Sequence, residues 1–217
     1  MGRAYGGHRI CSVTGCGMPY KANGYCSRHD LQIRANGYIS GNAHISRKNK
    51  SEMILSGGMC MIVLRNKFAD ISGYAIIDIE DANRCSSIKW SMTKDCYVTG
   101  KFQGKNVQLG RFILGVVDRD IEVDHRDRNH LDNRRMNLRE CTSSQNSMNV
   151  GIKKNNTSGF KGVCFDATKK KWKASLLADG CVILNKRFNN LIDAVKAYNE
   201  AAKIYHGEFA YLNEVPQ

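Results

Sequence analysis

The sequence predicts a modular α+β protein, and three observations predict it. Three cysteines and a histidine crowd into residues 11–29. Short β-prone runs broken by Gly and Asn occupy residues 59–114 and return at 160–188. An apolar stripe of helical period follows at 190–206. The chain divides accordingly: a compact Cys/His unit at 1–38, a polar and basic linker at 39–58, a β-rich segment ending in strand, polar loop and helix at 59–150, and three strands with a helix at 151–217.

Composition bounds what such a chain can do. Its 217 residues are one to two domains' worth. A hydrophobic fraction of 42% and an aromatic fraction of 8% support globular folding and exclude wholesale disorder. No apolar run reaches the 18 residues of a membrane-spanning helix, and MGRAYGGHRICS lacks the apolar core of a signal peptide. Nine cysteines, an odd count, fit a reducing cytoplasm better than a disulfide framework. The net charge of +13 is uneven: +6 over residues 1–60, +2 over 61–118, zero over 119–150 and +5 over 151–217. Basic ends suggest contact with a polyanion. The neutral segment, rich in both signs, has acids available for a cation.

Within the first unit, Cys11, Cys16, Cys26 and His29 are spaced x4, x9 and x2. Thiolates and imidazole are the donors zinc prefers, and four of them close a tetrahedral structural site. Gly15, Gly17 and Gly24 supply tight turns between the pairs. So short a basic unit has little core, so metal would supply its folding energy. His8 is a substitute ligand outside the best spacing. The region 53–95 is β-rich, and the sequence does not say whether it completes the central unit or forms a separate contact surface.

The segment IEVDHRDRNHLDNRRMNLRECTSSQNSMN, residues 121–149, carries the chemistry. An apolar strand delivers Asp124 and His125 to a polar loop; Asn137 follows His125 by twelve residues and Asn146 follows Asp124 by 22. A neutral imidazole can take a proton from water near pH 7. One carboxylate and one amide oxygen leave most of an octahedral shell open for phosphate and water. Adjacent strand residues point to opposite sides, so Asp124 can face a cation while His125 faces water.

At these residues the segment resembles the HNH, or ββα-metal, nuclease motif in its His-Asn-Asn variant, over about residues 97–150 including VQLGRFIL read as the preceding strand. The resemblance implies that His125 is the general base, that Asp124 and Asn146 hold one Mg2+ or Mn2+ ion, and that Asn137 braces the loop and orients His125. Asn149 is a weaker supporting candidate, and His130 has no place in the pattern. Many relatives place a histidine before the arginine of VQLGRFIL, where this chain has Gly110 before Arg111. The arginines at 126, 128, 134, 135 and 139 either contact phosphate or balance Asp127 and Asp132. The GYCSRH segment is similar to the zinc knuckles that precede many phage HNH-type proteins.

Residues 151–173 hold seven lysines and one acid, Asp166. Asp179-Gly180 is a hairpin signal. Asn190 with Asp193 reads as a helix N-cap arrangement, and Leu191, Val195, Tyr198, Ala202 and Tyr205 read as one apolar helix face. SGFKGV and AVKAYNEAAKIYHGEFAYLN make residues 155–213 resemble the Apetala-two/ethylene-response-factor type of DNA-binding domain. That resemblance implies a three-stranded antiparallel sheet packed on one helix, with the sheet face in the major groove. Lys161, Lys171, Lys173 and Arg187 are the expected DNA contacts, and lysines at these positions favour phosphate anchoring over base reading. Trp172 reads either as packing beneath the sheet or as stacking on DNA.

Together these readings describe a homing-type DNA endonuclease of phage or mobile-intron association. It is expected to act as a monomer on double-stranded DNA in the host cytoplasm, at the nucleoid, nicking one strand per engagement. A non-catalytic DNA-binding regulator, an RNA-binding zinc protein and a low-specificity repair or packaging nuclease are the rival readings.

Overall fold

The computed structural model describes residues 9–39, 50–66 and 70–215, and the chain falls into two compact units. The first runs to Leu109 and includes Leu131–Asn133; the second comprises Gly110–His130 and the chain from Arg134 onward. The second unit thus holds Gly110–His130 together with the chain from Arg134 through the C-terminal sheet. Among the described residues no helix is long and apolar enough to cross a membrane.

In the first unit, two short bridges, Ile10 with Pro19 and Ala22 with Tyr25, lead into α1 (Ser27–Asn36). Gly37 ends α1 at φ 77°. Strands β1 (Met53–Ser56), β2 (Met59–Arg65) and β3 (Ile71–Asp78) form an antiparallel sheet. Met53–Ser56 lies within the expected linker but forms a strand, because the Gly57-Gly58 pair turns it back onto β2. Residues 40–49 of that linker lie outside the described residues, as does His8.

After the short helix α2 (Ala82–Ser86), β4 (Trp90–Met92), β5 (Val98–Phe102) and β6 (Lys105–Gln108) make a second antiparallel sheet. Trp90 is fully buried, and its indole N–H donates to the Cys85 carbonyl at 2.9 Å, so the large side chain leaves no polar atom stranded. Gly100 faces it, and a Cβ there would stand 2.6 Å from Ile88 and 2.9 Å from Trp90. Region 53–95 is thus one sheet, a short helix and the first strand of the second sheet, with Cys60, Ile62, Leu64, Ile77, Cys85 and Trp90 buried. Asn133 donates to the Ile76 carbonyl and Ile76 to that of Leu131, attaching residues 131–133 to β3.

VQLGRFIL is two residues of strand followed by six of helix, which corrects the reading of it as one strand. Lys105–Gln108 pairs in β6, whereas α3 (Leu109–Leu114) turns Leu109 and Ile113, four apart, into buried positions. Over so short a run, alternation of period two and a helical pair at i, i+4 overlap.

In the second unit, β7 (Glu122–His125) and β8 (Leu138–Cys141) form an antiparallel ribbon followed by α4 (Ser143–Asn149). Thr142 and Gln145 close a reciprocal capping box that starts α4. Strands β9 (Val163–Asp166), β10 (Lys171–Ala178) and β11 (Cys181–Phe188) form an antiparallel sheet in the order β11-β10-β9, and α5 (Leu191–Tyr205) covers one face. Asp179 and Gly180, at φ 48° and 76°, make the β10–β11 turn. The Asn190 side chain accepts from the Ile192 amide and caps α5. Ala194, Val195, Tyr198 and Ala202 bury against Val163, Ala174, Leu176 and Leu184. Tyr205, expected on that apolar face, is exposed at the helix end. Trp172 is partly buried against this core, edge-on to Phe165 at 5.1 Å.

Candidate active site

Strand alternation sets the site. Glu122 and Asp124 share the face of β7 that meets α4, and Val123 and His125 take the other. On α4, Asn146 and Asn149 are three apart and therefore on one face. The Asn146 amide nitrogen donates to Glu122 Oε2 at 2.5 Å. That of Asn149 lies 3.0 Å from both Asp124 oxygens and 2.9 Å from the His125 carbonyl. So the Asn partner that reaches Asp124 is Asn149, while Asn146 reaches the carboxylate one pleat away.

Asp124 is buried, and its charge is met from the partner strand. Register pairs it with Arg139, whose Nε and Nη2 both donate to Asp124 Oδ2, at 2.9 and 2.6 Å. A buried carboxylate needs such a partner. Arg139, expected at phosphate or opposite a loop carboxylate, spends its guanidinium here instead.

His125 ends β7 and is 5% exposed. The loop after it is fastened from its far end. The Arg126 amide donates to the Asn137 carbonyl at 2.8 Å, and the Arg128 amide to the His125 carbonyl at 2.9 Å, with Arg128 at φ 65°. The Asn137 amide donates to Asp127 Oδ1 and accepts from the Asp127 backbone N–H. His130 returns to the site: its ring centre stands 5.3 Å from that of His125, tilted by 59°.

Glu122, His130 and Arg139 are thus site residues the motif spacing did not single out. Glu122 was legible as the same-face neighbour of Asp124. No periodic signal marks His130, which a loop carries back. As for a divalent ion, the donors gathered here are carboxylate and amide oxygens, the hard ligands of Mg2+ and Mn2+. Among the described residues, Asp124 Oδ1 accepts from Asn149 alone and the Asn146 amide oxygen takes no hydrogen bond. The donor set fits such an ion.

The Cys/His unit forms a second centre. Cys11, Cys16, Cys26 and His29 are all buried, and their ligand atoms lie within 4.8 Å of one another. Cys11 Sγ is 3.1 Å from His29 Nδ1, and Cys16 Sγ is 3.8 Å from Cys26 Sγ. Burial raises both the Cys11 and Cys16 thiols. At Cys11 hydrogen bonds from the Cys26 amide and His29 outweigh it and bring the thiol to about 6, while Cys16, beside two sulfurs, stands at about 11. Three sulfurs and a ring nitrogen at this separation fit a tetrahedral zinc ion.

Of the four expected DNA contacts, three share a face. Lys171 and Lys173 alternate with the core-facing residues of β10, and Lys173 pairs in register with Arg187 of β11. Arg187 donates to Asp166 at 2.7 Å on the same open face and holds that carboxyl below its usual range. Lys161 departs from expectation. Its Nζ donates to the Met148 and Val150 carbonyls, both at 2.6 Å, beneath the Tyr211 ring. The last carbonyls of a helix lack intrahelical partners, and this amine supplies them for α4.

Residues 111–148 match the family model described as HNH endonuclease. The chain is 34% identical over 147 residues to a protein of Acanthamoeba polyphaga mimivirus named as an uncharacterized HNH endonuclease, covering 65% of this chain and 75% of that one. It is 29% identical over 106 residues to protein 3.8 of Escherichia phage T7, covering 49% of this chain and 87% of the relative. No solved structure gives a significant match.

Proposed function

The chain belongs to the HNH endonuclease family, and from that premise we propose a metal-dependent endonuclease that hydrolyses phosphodiester bonds of duplex DNA. The observation that carries the reading is the division of labour at the end of β7. Asp124 faces the amides of α4, and His125 faces the other way into a loop clamped by Asn137.

In this reading Asp124 and Asn146 hold one Mg2+ or Mn2+ ion, with Glu122 beside them. Bound there, the ion supplies charge stabilisation for the scissile phosphate and the leaving oxygen. His125 accepts a proton from a water, whose oxygen attacks phosphorus. The bond from phosphorus to the 3′ oxygen breaks, leaving a 3′-hydroxyl and a 5′-phosphate. Asn137 holds the His125 turn, and Asn149 fixes both Asp124 and the His125 carbonyl.

Duplex binding is assigned to the basic open face of the C-terminal sheet, with Lys171, Lys173 and Arg187 on phosphates, and to a zinc-closed knuckle at Cys11, Cys16, Cys26 and His29. One active site per chain gives a nick per engagement by a monomer. The likeness to a phage protein supports a phage or mobile-element enzyme of homing type, working on DNA in the host cytoplasm. Supercoiled plasmid incubated with the protein and Mg2+ tests the reading. It predicts nicked circles bearing 3′-hydroxyl ends, and none in EDTA. Binding without cleavage on every DNA offered would move the assignment to a non-catalytic DNA-binding regulator.

A further inference from the structure

We infer that Gly207–Phe209, far along the chain from the family motif, belongs to the nuclease centre: through Arg139 it fixes the carboxylate of Asp124. The inference rests on the reading of Asp124 as an ion ligand. The match to the family model stops at residue 148, so Gly207–Phe209 lies outside the matched region.

Arg139 is buried, and its five N–H groups need partners. Two of its nitrogens go to Asp124 Oδ2. The third, Nη1, donates to the backbone carbonyl of Glu208 at 2.5 Å and lies 3.5 Å from the Glu208 carboxylate. The guanidinium carbon sits 3.8 Å from the centre of the Phe209 ring, a stacked cation–π contact. Phe209 is itself buried with Cys141 and Met148, so the ring is held from behind by β8 and α4.

The same segment reaches the other half of the site. Glu208 Oε2 takes Arg126 Nη1 at 2.6 Å, and Arg126 is the residue after His125. One turn of chain therefore holds the neighbour of the base and the partner of the ligand. Without it, a buried guanidinium would lose its stacking surface and one acceptor, and the two-point fork on Asp124 would be free to swing. Arg139 and Phe209 are positioning residues: neither touches substrate or ion.

The test uses the full chain with two conservative variants. Arg139→Lys keeps the charge and removes the fork. Phe209→Leu keeps an apolar side chain and removes the ring. Mn2+ affinity is read from the free-ion EPR signal, and plasmid nicking gives kcat and KM. Loss of an outer partner typically weakens a metal site roughly 10–100-fold, which is the expected shift in Mn2+ Kd for Arg139→Lys, with a smaller shift for Phe209→Leu. Turnover should fall in both and recover at high Mn2+, with KM for DNA unchanged.

Thermal unfolding establishes that each variant is folded, and if Arg139→Lys is not, Phe209→Leu decides. Wild-type Mn2+ affinity in the folded variants, with affinity lost in Asp124→Ala, overturns this inference and leaves the nuclease reading intact. Wild-type affinity in Asp124→Ala overturns the ligand assignment and the inference with it.

Discussion

The side chains of Asn137 and Asp127 bind the same turn in both directions. The Asn137 amide nitrogen donates to Asp127 Oδ1 at 2.8 Å, and its amide oxygen accepts from the Asp127 backbone N–H at 3.1 Å. Together with the Arg126 amide on the Asn137 carbonyl, these bonds fix the chain immediately after His125. Only a side chain with a donor and an acceptor in one plane does both.

Asn137→Asp removes the donor and sets two carboxylates against each other. A displacement of about 1 Å at a reacting group costs on the order of 100-fold in rate. The variant is expected to lose nicking to that extent while binding Mn2+ and DNA as the wild type does. A rate within twofold of wild type, measured under single turnover, would remove Asn137 from the site.

Removing zinc should unfold the Cys/His unit and spare the rest. Three sulfurs and His29 form the buried centre of a unit with few other buried apolar residues. Apparent zinc-binding energies of small sites are about 10–16 kcal/mol, far more than such a core provides. Metal analysis should find zinc bound and retained on dialysis, and Cys26→Ser should lose it together with amide protection in α1. Retained protection in a zinc-free sample would contradict the assignment.

Gly162 stands at φ 73° directly under Tyr198, where a Cβ would come within 2.1 Å of the ring. Gly159 has a similar φ of 77° and open space around it. Gly159→Ala should therefore cost only the backbone strain, about 1–2 kcal/mol. Gly162→Ala adds overpacking of about 1–3 kcal/mol more. Denaturant unfolding of the two variants would sink the packing argument if their losses were equal.

The basic face and Lys161 should part company in DNA binding. Each lost phosphate contact lowers the salt slope of affinity by roughly one. Lys171→Ala and Lys173→Ala are expected to do so, and Lys161→Met is not, because its amine is spent on α4. Lys161→Met instead acts on stability. Burial, with Arg128 and Lys153 adding repulsion, lowers the Lys161 amine from 10.5 to about 8. Between those values the unfolded chain holds a proton that the folded chain has released, so stability rises with pH there. The advantage of wild type over Lys161→Met should grow from pH 7 to pH 10 in denaturant titrations. A slope change at Lys161 equal to that at Lys173 would return Lys161 to the DNA surface.

What could be read from the sequence was local. The Cys/His spacing, the Asp179-Gly180 turn and the Asn190 cap depend on residues a few positions apart, and the structure forms all three arrangements. The division of VQLGRFIL was missed because so short a run fits two periods equally well, and tertiary pairing decides between them. The environment of Asp124 was missed for another reason. Arg139 is 15 residues away and Glu208 lies 69 beyond that arginine, and no period connects them. The spacing of 22 residues pointed to Asn146, whereas one further helical step brings Asn149 to the Asp124 carboxylate.

The central claim is that His125 takes the proton from water while Asp124 serves the ion, and single-turnover nicking at saturating Mn2+ tests it most directly. Removing a general base costs typically 10²–10⁴-fold. The account predicts a loss of about that size in His125→Ala with Mn2+ affinity preserved, and loss of Mn2+ affinity in Asp124→Ala. Nicking by His125→Ala at the wild-type rate would contradict it.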